Sequence, residues 1–233
     1  GRYEYKVEKF SAIDDKPLVY WWSNDFFEKY EKSQKLGEVC TTTAGAQTSP
    51  KHRFIRFPWE VNHLQIHLKR AFSSTERPNL STLNYSPYLD GANGAVWFEA
   101  VNLILDWTHN GLLLKSWHKW KTGTISKRVA GESFFFFSGV ASTSLGSDFN
   151  ARAHRWQSIT GTMGGTSYPN ELLKVPDLLA LLNNRTAQFI LKSLNPTLHF
   201  NVGDIDRVAI MRVSEADEIF AKLDRAFTEH EAA

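Results

Sequence analysis

The pattern of apolar residues changes near Pro169, and this change constrains the fold more than any other feature. Before Pro169, short runs of aromatic and β-branched residues alternate with polar turns, which is typical of strands. After it, apolar residues recur at helical spacing. Strands followed by helices favour the α+β class. We therefore predict a mixed, strand-rich lobe over residues 1–167 and a helical C-terminal part, residues 168–233, packed on it.

Individual elements follow from the same patterns. Strands are predicted over residues 3–22, 37–43, 53–61, 133–138 and 148–156. Helices are predicted over residues 26–36, 95–107, 177–183 and 185–194, with a last helix that begins with a capping box at Ser214. Residues 73–84 and 161–166 are predicted to be loops, and Asn110-Gly111 to end the second helix.

Composition excludes several classes of protein. The chain has 233 residues, of which 42% are hydrophobic and 22% charged, so it can bury a sizeable core. No apolar run is long enough to span a bilayer, and we expect no membrane partner. Cys40 is the single cysteine, which excludes an internal disulfide and a Cys-based zinc site. A cytoplasmic location is the default expectation, and the start at Gly1 suggests an excised fragment.

Charge is distributed unevenly along the chain. The net charge is only +2, but residues 115–155 carry seven lysines and arginines against Glu132 and Asp148. Acidic residues gather in the last twenty positions. A basic middle and an acidic tail fit a domain with one phosphate-facing side, and they equally fit an ordinary solvated surface.

Motifs at both ends of the chain carry a resemblance to a known family. The first part contains, in order, Pro17-Leu18-Val19-Tyr20-Trp21-Trp22-Ser23, Gly45-Ala46-Gln47-Thr48 and Arg53-Phe54-Ile55-Arg56-Phe57-Pro58-Trp59-Glu60-Val61. The last part contains Leu181-Leu182-Asn183-Asn184-Arg185-Thr186-Ala187 and Leu194-Asn195-Pro196-Thr197-Leu198-His199-Phe200-Asn201-Val202-Gly203-Asp204-Ile205. Together these resemble the region after the catalytic domain in PglX methyltransferases of BREX phage-defence systems and in type IIG restriction–modification enzymes.

The resemblance implies a role in DNA recognition without catalysis. The chain would be the target-recognition and C-terminal region of an adenine-N6 DNA methyltransferase, and the catalytic domain, with its S-adenosylmethionine, would be absent from it. The partners implied are double-stranded DNA, the methyltransferase catalytic domain, and further defence-system subunits or a phage inhibitor. The chain itself would need no cofactor.

Residue patterns for catalysis and metal binding are incomplete. Asn195-Pro196-Thr197 lacks the second proline and the aromatic residue of an Asn-Pro-Pro-aromatic turn, and no glycine-rich turn for a methyl donor precedes it. We interpret it as a turn that ends a helix, and Gly203-Asp204 as a second structural turn. His63 and His67 lack the adjacent glutamate of zinc hydrolases. We predict no catalytic residue and no metal site.

The segment 148–156 supplies the candidates for base recognition. Apolar Phe149, Ala151 and Ala153 alternate with polar Asn150, Arg152 and His154. Period-two alternation predicts a half-buried strand with an exposed polar face. From such a face Arg152, and Arg155 beyond it, could donate two hydrogen bonds to guanine, and Asn150 could bind adenine. The alternative is a surface salt bridge to an acidic neighbour such as Asp148.

Two further groups are candidates for contact with the DNA backbone. A polar loop and the strand after it combine hydroxyl, amide and basic groups suited to phosphate: Gln47, Thr48, Lys51, Arg53 and Arg56. The second group interleaves tryptophans with cations: Trp117, Lys119, Trp120, Lys121, Lys127, Arg128 and Trp156. Such interleaving suits sugar–phosphate or unstacked bases, although buried rings under lysine stems would give the same pattern.

Two other functions remain open at this stage. The chain could be a protein-interaction module whose acidic tail docks another defence-complex subunit or a phage inhibitor that mimics DNA. An enzyme with unfamiliar catalytic residues is the third alternative. A steep dependence of DNA binding on salt would separate DNA recognition from protein docking.

Overall fold

The described part of the protein contains two β-sheets and a helical C-terminal part. The computed structural model describes residues 13, 17–71, 77–79, 81–91 and 96–232. The strands found there are β1 (Cys40–Thr43), β2 (Ile55–Arg56), β3 (Tyr85–Leu89), β4 (Trp97–Phe98), β5 (Ile104–Asp106), β6 (Val140–Ser142), β7 (Ala151–Ala153), β8 (Ile159–Thr160) and β9 (Thr166–Pro169). The helices are α1 (Asn24–Lys32), α2 (Lys51–Phe54), α3 (Thr108–Thr122), α4 (Val175–Leu182), α5 (Arg185–Leu194), α6 (Val202–Asp206) and α7 (Ala216–Ala232).

The strands form one five-stranded and one four-stranded sheet. The first has the order β1-β9-β6-β7-β4 and the second β2-β5-β3-β8. Most neighbours are antiparallel, whereas β4 with β7 and β3 with β8 are parallel. The predicted α+β class, with mixed sheets and a helical C-terminal part, is confirmed. The division at residue 167 stays a prediction, although β9 ends at Pro169 and the chain is helical from Val175.

The main core lies between the five-stranded sheet and α4. Ala151 and Ala153 of β7 are small, so the helix approaches the strand closely, and α4 contacts both β7 and α7. Leu178 and Leu182 are fully buried there. Burying each leucine contributes about 1.5–3 kcal/mol. Because α4 has neighbours on opposite sides, its apolar run Leu178–Leu182 is buried all round.

A second core fills the space under the four-stranded sheet and fixes the start of α3. Trp107 is fully buried against Phe135 and Phe136. A Cβ on Gly111 would lie 2.9 Å from the Trp107 ring, and Gly111 has a φ of +69°. Only glycine meets both demands without strain. This turn therefore places the start of α3 directly against the Trp107 ring.

The N-terminal segment packs on α5 through Trp22. Its indole contacts Phe26, Tyr30 and Phe189. Ser23 begins α1 as its N-cap and accepts a hydrogen bond of 3.2 Å from the Phe26 amide. The predicted helix over 26–36 is confirmed, shifted by a few residues. Most of the predicted strand over 3–22 lies outside the described residues, and 17–22 form no strand.

Several predicted elements of the middle segment are wrong. A helix was predicted over 95–107, but the described residues 96–107 contain β4 and β5 instead. The reason is that β5 pairs with both β2 and β3, and this pairing overrides the helical spacing. Asn110 and Gly111 open α3 instead of ending a helix. Residues 53–61 form α2, the two-residue β2 and a turn at Pro58–Glu60.

The phenylalanine run at 133–138 is also not the predicted strand. It forms a turn at Glu132–Phe134, and Gly131 and Phe136 both have positive φ. Phe135 and Phe136 are nevertheless buried, as the apolar run indicates. The helices predicted over 177–183 and 185–194 and the last helix after Ser214 are confirmed as α4, α5 and α7. No helix in the described part of the chain is long and apolar enough to cross a membrane.

Candidate nucleic-acid interface

Two basic segments that are far apart in sequence meet on one surface. The Arg53 guanidinium of α2 lies over the Trp117 ring of α3, 4.4 Å from its centroid. The Trp117 Nε1 donates a hydrogen bond of 3.3 Å to the Ser49 carbonyl oxygen. We define the α2–α3 surface by the residues Lys51, Arg53, Arg56, Trp117, Lys119, Trp120 and Lys121. From the sequence these residues were predicted as two separate groups, and the fold brings the two groups together on one surface.

Gln47 and Thr48 hold the loop in place and do not project from it. The Gln47 side-chain oxygen accepts a hydrogen bond of 2.6 Å from Arg128, and its carbonyl oxygen lies 2.6 Å from His118 Nε2. Thr48 is 4% exposed, and its hydroxyl lies 3.2 Å from the Tyr88 hydroxyl. The outward, phosphate-facing position predicted for Thr48 is therefore wrong. Gln47 and Arg128 are half-buried and bonded to each other, and their contact with phosphate stays a prediction. The contacts of Gln47 and Thr48 join the loop to α3 and β3.

The basic side chains on the α2–α3 surface keep much of their charge accessible. Arg53, Lys119 and Lys121 are exposed, and Lys119 Nζ donates to the Gly123 carbonyl oxygen over 3.2 Å. Lys51 pairs with Asp90 but keeps 60% of its side chain exposed. Arg56 is half-buried and donates to two backbone carbonyls at the end of α2.

No acidic residue occurs between Asp106 and Glu132, a stretch that contains all of α3. Five lysines and arginines fall within it, including the exposed Lys127. Of these five basic residues, Lys115 pairs with Glu132. A surface with this imbalance attracts polyanions at long range.

Exposed rings accompany the charges. Trp120 is 77% exposed, and its ring centroid lies 5.3 Å from that of Trp117 at an interplanar angle of 41°. Lys121 Nζ lies 5.8 Å from the Trp117 centroid. For Trp120 the alternative of a ring buried under lysine stems is therefore wrong. Trp156 differs, because it is half-buried under the Arg70 guanidinium at 4.3 Å.

Arg152 is buried, in contrast to the predicted exposed polar face. The residue is 1% exposed, its Nε pairs with Glu99, and its Nη2 donates to the Gly91 carbonyl oxygen over 2.8 Å. Burial raises the pKa of Glu99, and the charge of Arg152 opposes that rise. Buried in this way, Arg152 does not present its guanidinium to a base edge.

Arg155 is buried against α7. Its Nε donates to Asp224 Oδ1 over 2.8 Å, its Nη2 donates to the Thr228 hydroxyl over 2.8 Å, and its Nη1 lies 2.6 Å from Glu231 Oε1. Phe98 and Phe227 lie about the guanidinium at 5.6 and 5.5 Å. The expected surface position is wrong because α7 covers this end of the strand.

The other candidates in this segment have local roles. Asn150 is half-buried and precedes β7, and its carbonyl oxygen accepts from both the amide and the hydroxyl of Thr143. Asp148, the predicted alternative partner of the arginines, pairs instead with Lys192 at 2.7 Å.

The Asn195 turn is structural. Its side-chain nitrogen donates to Asp204 over 2.8 Å, and its side-chain oxygen accepts from the Thr197 amide and hydroxyl. The predicted helix-ending turn is confirmed, since α5 ends at Leu194. Asp204 accepts a second hydrogen bond from the Asn201 amide, over 3.0 Å. These contacts leave no adenine-binding turn here.

Sequence patterns had not suggested the residues that hold α7. Arg70 reaches the same acidic helix, with Nη1 lying 3.9 Å from Asp224 and Nη2 3.7 Å from Glu231. Asp224, Thr228 and Glu231 recur at i, i+4 and i+7, so one face of α7 carries all three. That polar stripe is the signal that could have revealed a buried cationic partner.

The chain is similar in sequence to adenine-specific methyltransferases. One relative is the adenine-specific methyltransferase PglX of Lacticaseibacillus casei (strain Zhang), which is 25% identical over 205 residues. The match covers 87% of this chain and 17% of that protein, so the chain spans about a sixth of the relative's length. The resemblance to PglX-like methyltransferases predicted from the motifs is therefore confirmed.

No family model matches the chain. Among solved structures, the HsdS subunit from Thermoanaerobacter tengcongensis aligns with a TM-score of 0.40 at 16% identity, over 85% of this chain and 37% of that one.

Proposed function

We propose that this chain recognises DNA for an adenine-N6 methyltransferase of a phage-defence or restriction–modification system, and that it binds duplex phosphates through the α2–α3 surface. The observation that carries the proposal is the meeting of Arg53 with Trp117, which joins two basic segments into one surface. The similarity to a PglX methyltransferase supplies the context. Phosphate contacts of this kind position a protein on the duplex.

The proposal divides labour within a larger enzyme. Methylation and the binding of S-adenosylmethionine belong to a catalytic domain elsewhere in the parent protein, which would act in the cytoplasm. This chain contributes affinity and register and performs no covalent chemistry. The occupied hydrogen bonds of Asn195 support this division.

The proposal keeps some of the predicted DNA-binding residues and reassigns others. Residues with accessible charge stay in the DNA-contacting set: Lys51, Arg53, Arg56, Lys119, Lys121 and Lys127. Gln47, Thr48 and Arg128 support the loop, Arg152 and Arg155 belong to the interior, and Trp156 is half-buried under Arg70. Asn150 remains a candidate for adenine.

Charge-removing substitutions on the α2–α3 surface should weaken binding to all duplex sequences alike. We expect the wild-type chain to bind mixed-sequence duplex with a dissociation constant of about 10⁻⁴–10⁻⁶ M at physiological salt. Arg53→Ala, Lys119→Ala and Lys121→Ala should each lower the salt slope by about one, since each removes one phosphate contact. Fluorescence anisotropy across a salt series measures both quantities.

Lys32→Ala is the matched control, because Lys32 is an exposed lysine at the end of α1. It should change neither affinity nor slope. Melting temperatures of all variants must be measured, although Arg53 is exposed and its loss should leave the fold intact. The proposal would be contradicted if binding did not depend on salt, or if the three variants bound as wild type does.

Docking of a defence-complex subunit or a phage inhibitor on the acidic tail is the second candidate. Asp224 and Glu231 already pair with Arg155 and Arg70 within the chain. This internal pairing reduces the charge that α7 can offer to a partner, and it favours DNA recognition through the basic surface instead.

A further inference from the structure

Trp120 is positioned unusually for a helical tryptophan. The buried face of α3 consists of Gly111, Leu114 and His118. Trp120 lies outside that face and is 77% exposed, and Leu112 and Leu113 are also about half exposed. Packing among the described residues therefore does not account for the ring, which contacts Trp117. A large apolar ring held at a charged surface marks a contact site.

The residues around the Trp120 ring indicate what kind of ligand could bind there. Arg53 lies over Trp117, Lys121 approaches the same ring, and Lys119 is exposed next to Trp120 in sequence. The absence of Asp and Glu from residues 107–131 leaves this part of α3 cationic. A nucleotide provides both a planar ring for the indole and a phosphate for the cations. A protein partner would have to combine an apolar surface with an acidic one.

The exposure of the Trp120 indole also indicates whether the nucleic acid is a closed duplex or has unpaired bases. In an intact duplex the faces of each base are covered by its neighbours, so an indole at the surface cannot stack on them. A base that has left the helical stack offers a free face. An exposed ring flanked by cations is therefore suited to a strand with unpaired bases.

We propose that Trp120, supported by Trp117, is a stacking platform for an unpaired DNA base, with Arg53, Lys119 and Lys121 holding the adjoining phosphates. The proposal rests on DNA being the ligand of the α2–α3 surface. It goes further by assigning to this surface a preference for locally opened DNA over closed duplex.

The preference can be measured with three fluorescent probes: a closed duplex, the same duplex with a short central bubble, and a single strand of the same sequence. Stacking on an aromatic side chain contributes about 1–3 kcal/mol per base, which corresponds to about 5- to 150-fold in affinity. We expect wild type to favour the bubble and the single strand by a factor in this range, with quenching of tryptophan fluorescence.

Trp120→Ala should abolish the preference, because the affinity for the bubble and the single strand should fall by the stacking factor and the affinity for closed duplex by much less. Trp120→Phe should restore part of it, because phenylalanine can still stack. Trp59→Ala is the matched control, since Trp59 is 76% exposed but stacks on Phe57 outside the α2–α3 surface. This control should behave as wild type.

The outcomes separate this inference from the proposed function. A bubble preference that survives Trp120→Ala overturns the stacking platform, as does an equal loss of affinity for all three probes. If the platform fails while Arg53→Ala and Lys121→Ala still weaken duplex binding, the proposed function stands. If no probe binds, both fail. Self-association that is lost in Trp120→Ala, with DNA binding unchanged, would assign the ring to a protein contact and overturn the inference.

Discussion

Removing both acidic partners of Arg155 should lower the free energy of unfolding by about 3 kcal/mol. In the variant Asp224→Asn/Glu231→Gln, the guanidinium stays buried without a counter-charge, because its side chain is fully covered. We take the lower end of the range for broken buried pairs, because Asp224 keeps about a third of its side chain exposed and the pair is partly hydrated. Urea unfolding followed by tryptophan fluorescence measures the loss.

The opposite substitution should cost much less. Arg155→Met places an apolar chain between Phe98 and Phe227 and leaves Asp224 and Glu231 free to hydrate. We expect a cost below about 1.5 kcal/mol, since apolar replacement of a buried charge is often nearly neutral. Glu218→Gln on the same helix breaks an exposed pair with Lys222 and should cost about 0.5 kcal/mol or less. Equal costs for the acidic and the arginine variants would contradict this account of how α7 is held.

Acidification should destabilise the protein through His154. The residue is 1% exposed, and burial, with a contribution from Arg152, lowers the pKa of His154 to about 3. The unfolded chain binds a proton there below about pH 6.5, and the folded chain does not until about pH 3. Stability is therefore lost as pH falls through this window, at about 1.4 kcal/mol per pH unit.

Urea unfolding at a series of pH values tests this effect. Between about pH 6.5 and pH 5 the free energy of unfolding should fall by about 2 kcal/mol from this residue alone. His154→Gln should flatten the dependence in that interval, whatever it does to stability at neutral pH. His63→Gln, at an exposed position, should leave the slope as in wild type. Identical slopes for wild type and His154→Gln would show that His154 titrates normally.

The helical C-terminal part could be predicted from sequence because its signals are local. Asn184 is the N-cap of α5 and accepts from the Thr186 amide over 2.8 Å, and the apolar spacing of α7 matches the face that packs on the main core. The middle segment could not be predicted in this way, because its short strands form only by pairing with strands that are distant in sequence. Trp97, Val101, Ile104 and Leu105 recur at helical spacing. Ile104 and Leu105 nevertheless lie in β5, because β5 pairs with β2 on one side and β3 on the other.

The sequence predicted the individual residues of the candidate interface but not that they lie on one surface. Arg53, Lys119, Lys121 and Trp120 were all singled out from composition, and the contact between Arg53 and Trp117 joins positions 64 apart. The error over Arg152 and Arg155 has one cause. Alternation along a strand shows that two faces differ, but it does not show that other parts of the chain cover the polar one. Here Glu99 and the Gly91 carbonyl oxygen bind Arg152, and α7 covers Arg155 with its own carboxylates.

The location of α7 changes how the uneven charge of the sequence is interpreted. Part of the acidic tail neutralises Arg155 and Arg70 inside the fold, and the basic residues of α2 and α3 are left to act outward. The low net charge of +2 thus conceals a cationic surface. Binding through that surface requires neither a large net charge nor exposed arginines on β7.

Hydrogen exchange of the chain with and without duplex DNA, at low salt and saturating DNA, tests the central claim most directly. The account predicts slower exchange across residues 51–56 and 112–124, with no change in α7. Protection confined to α7 or to the five-stranded sheet, or no protection while DNA is bound, would contradict it and place the contact elsewhere.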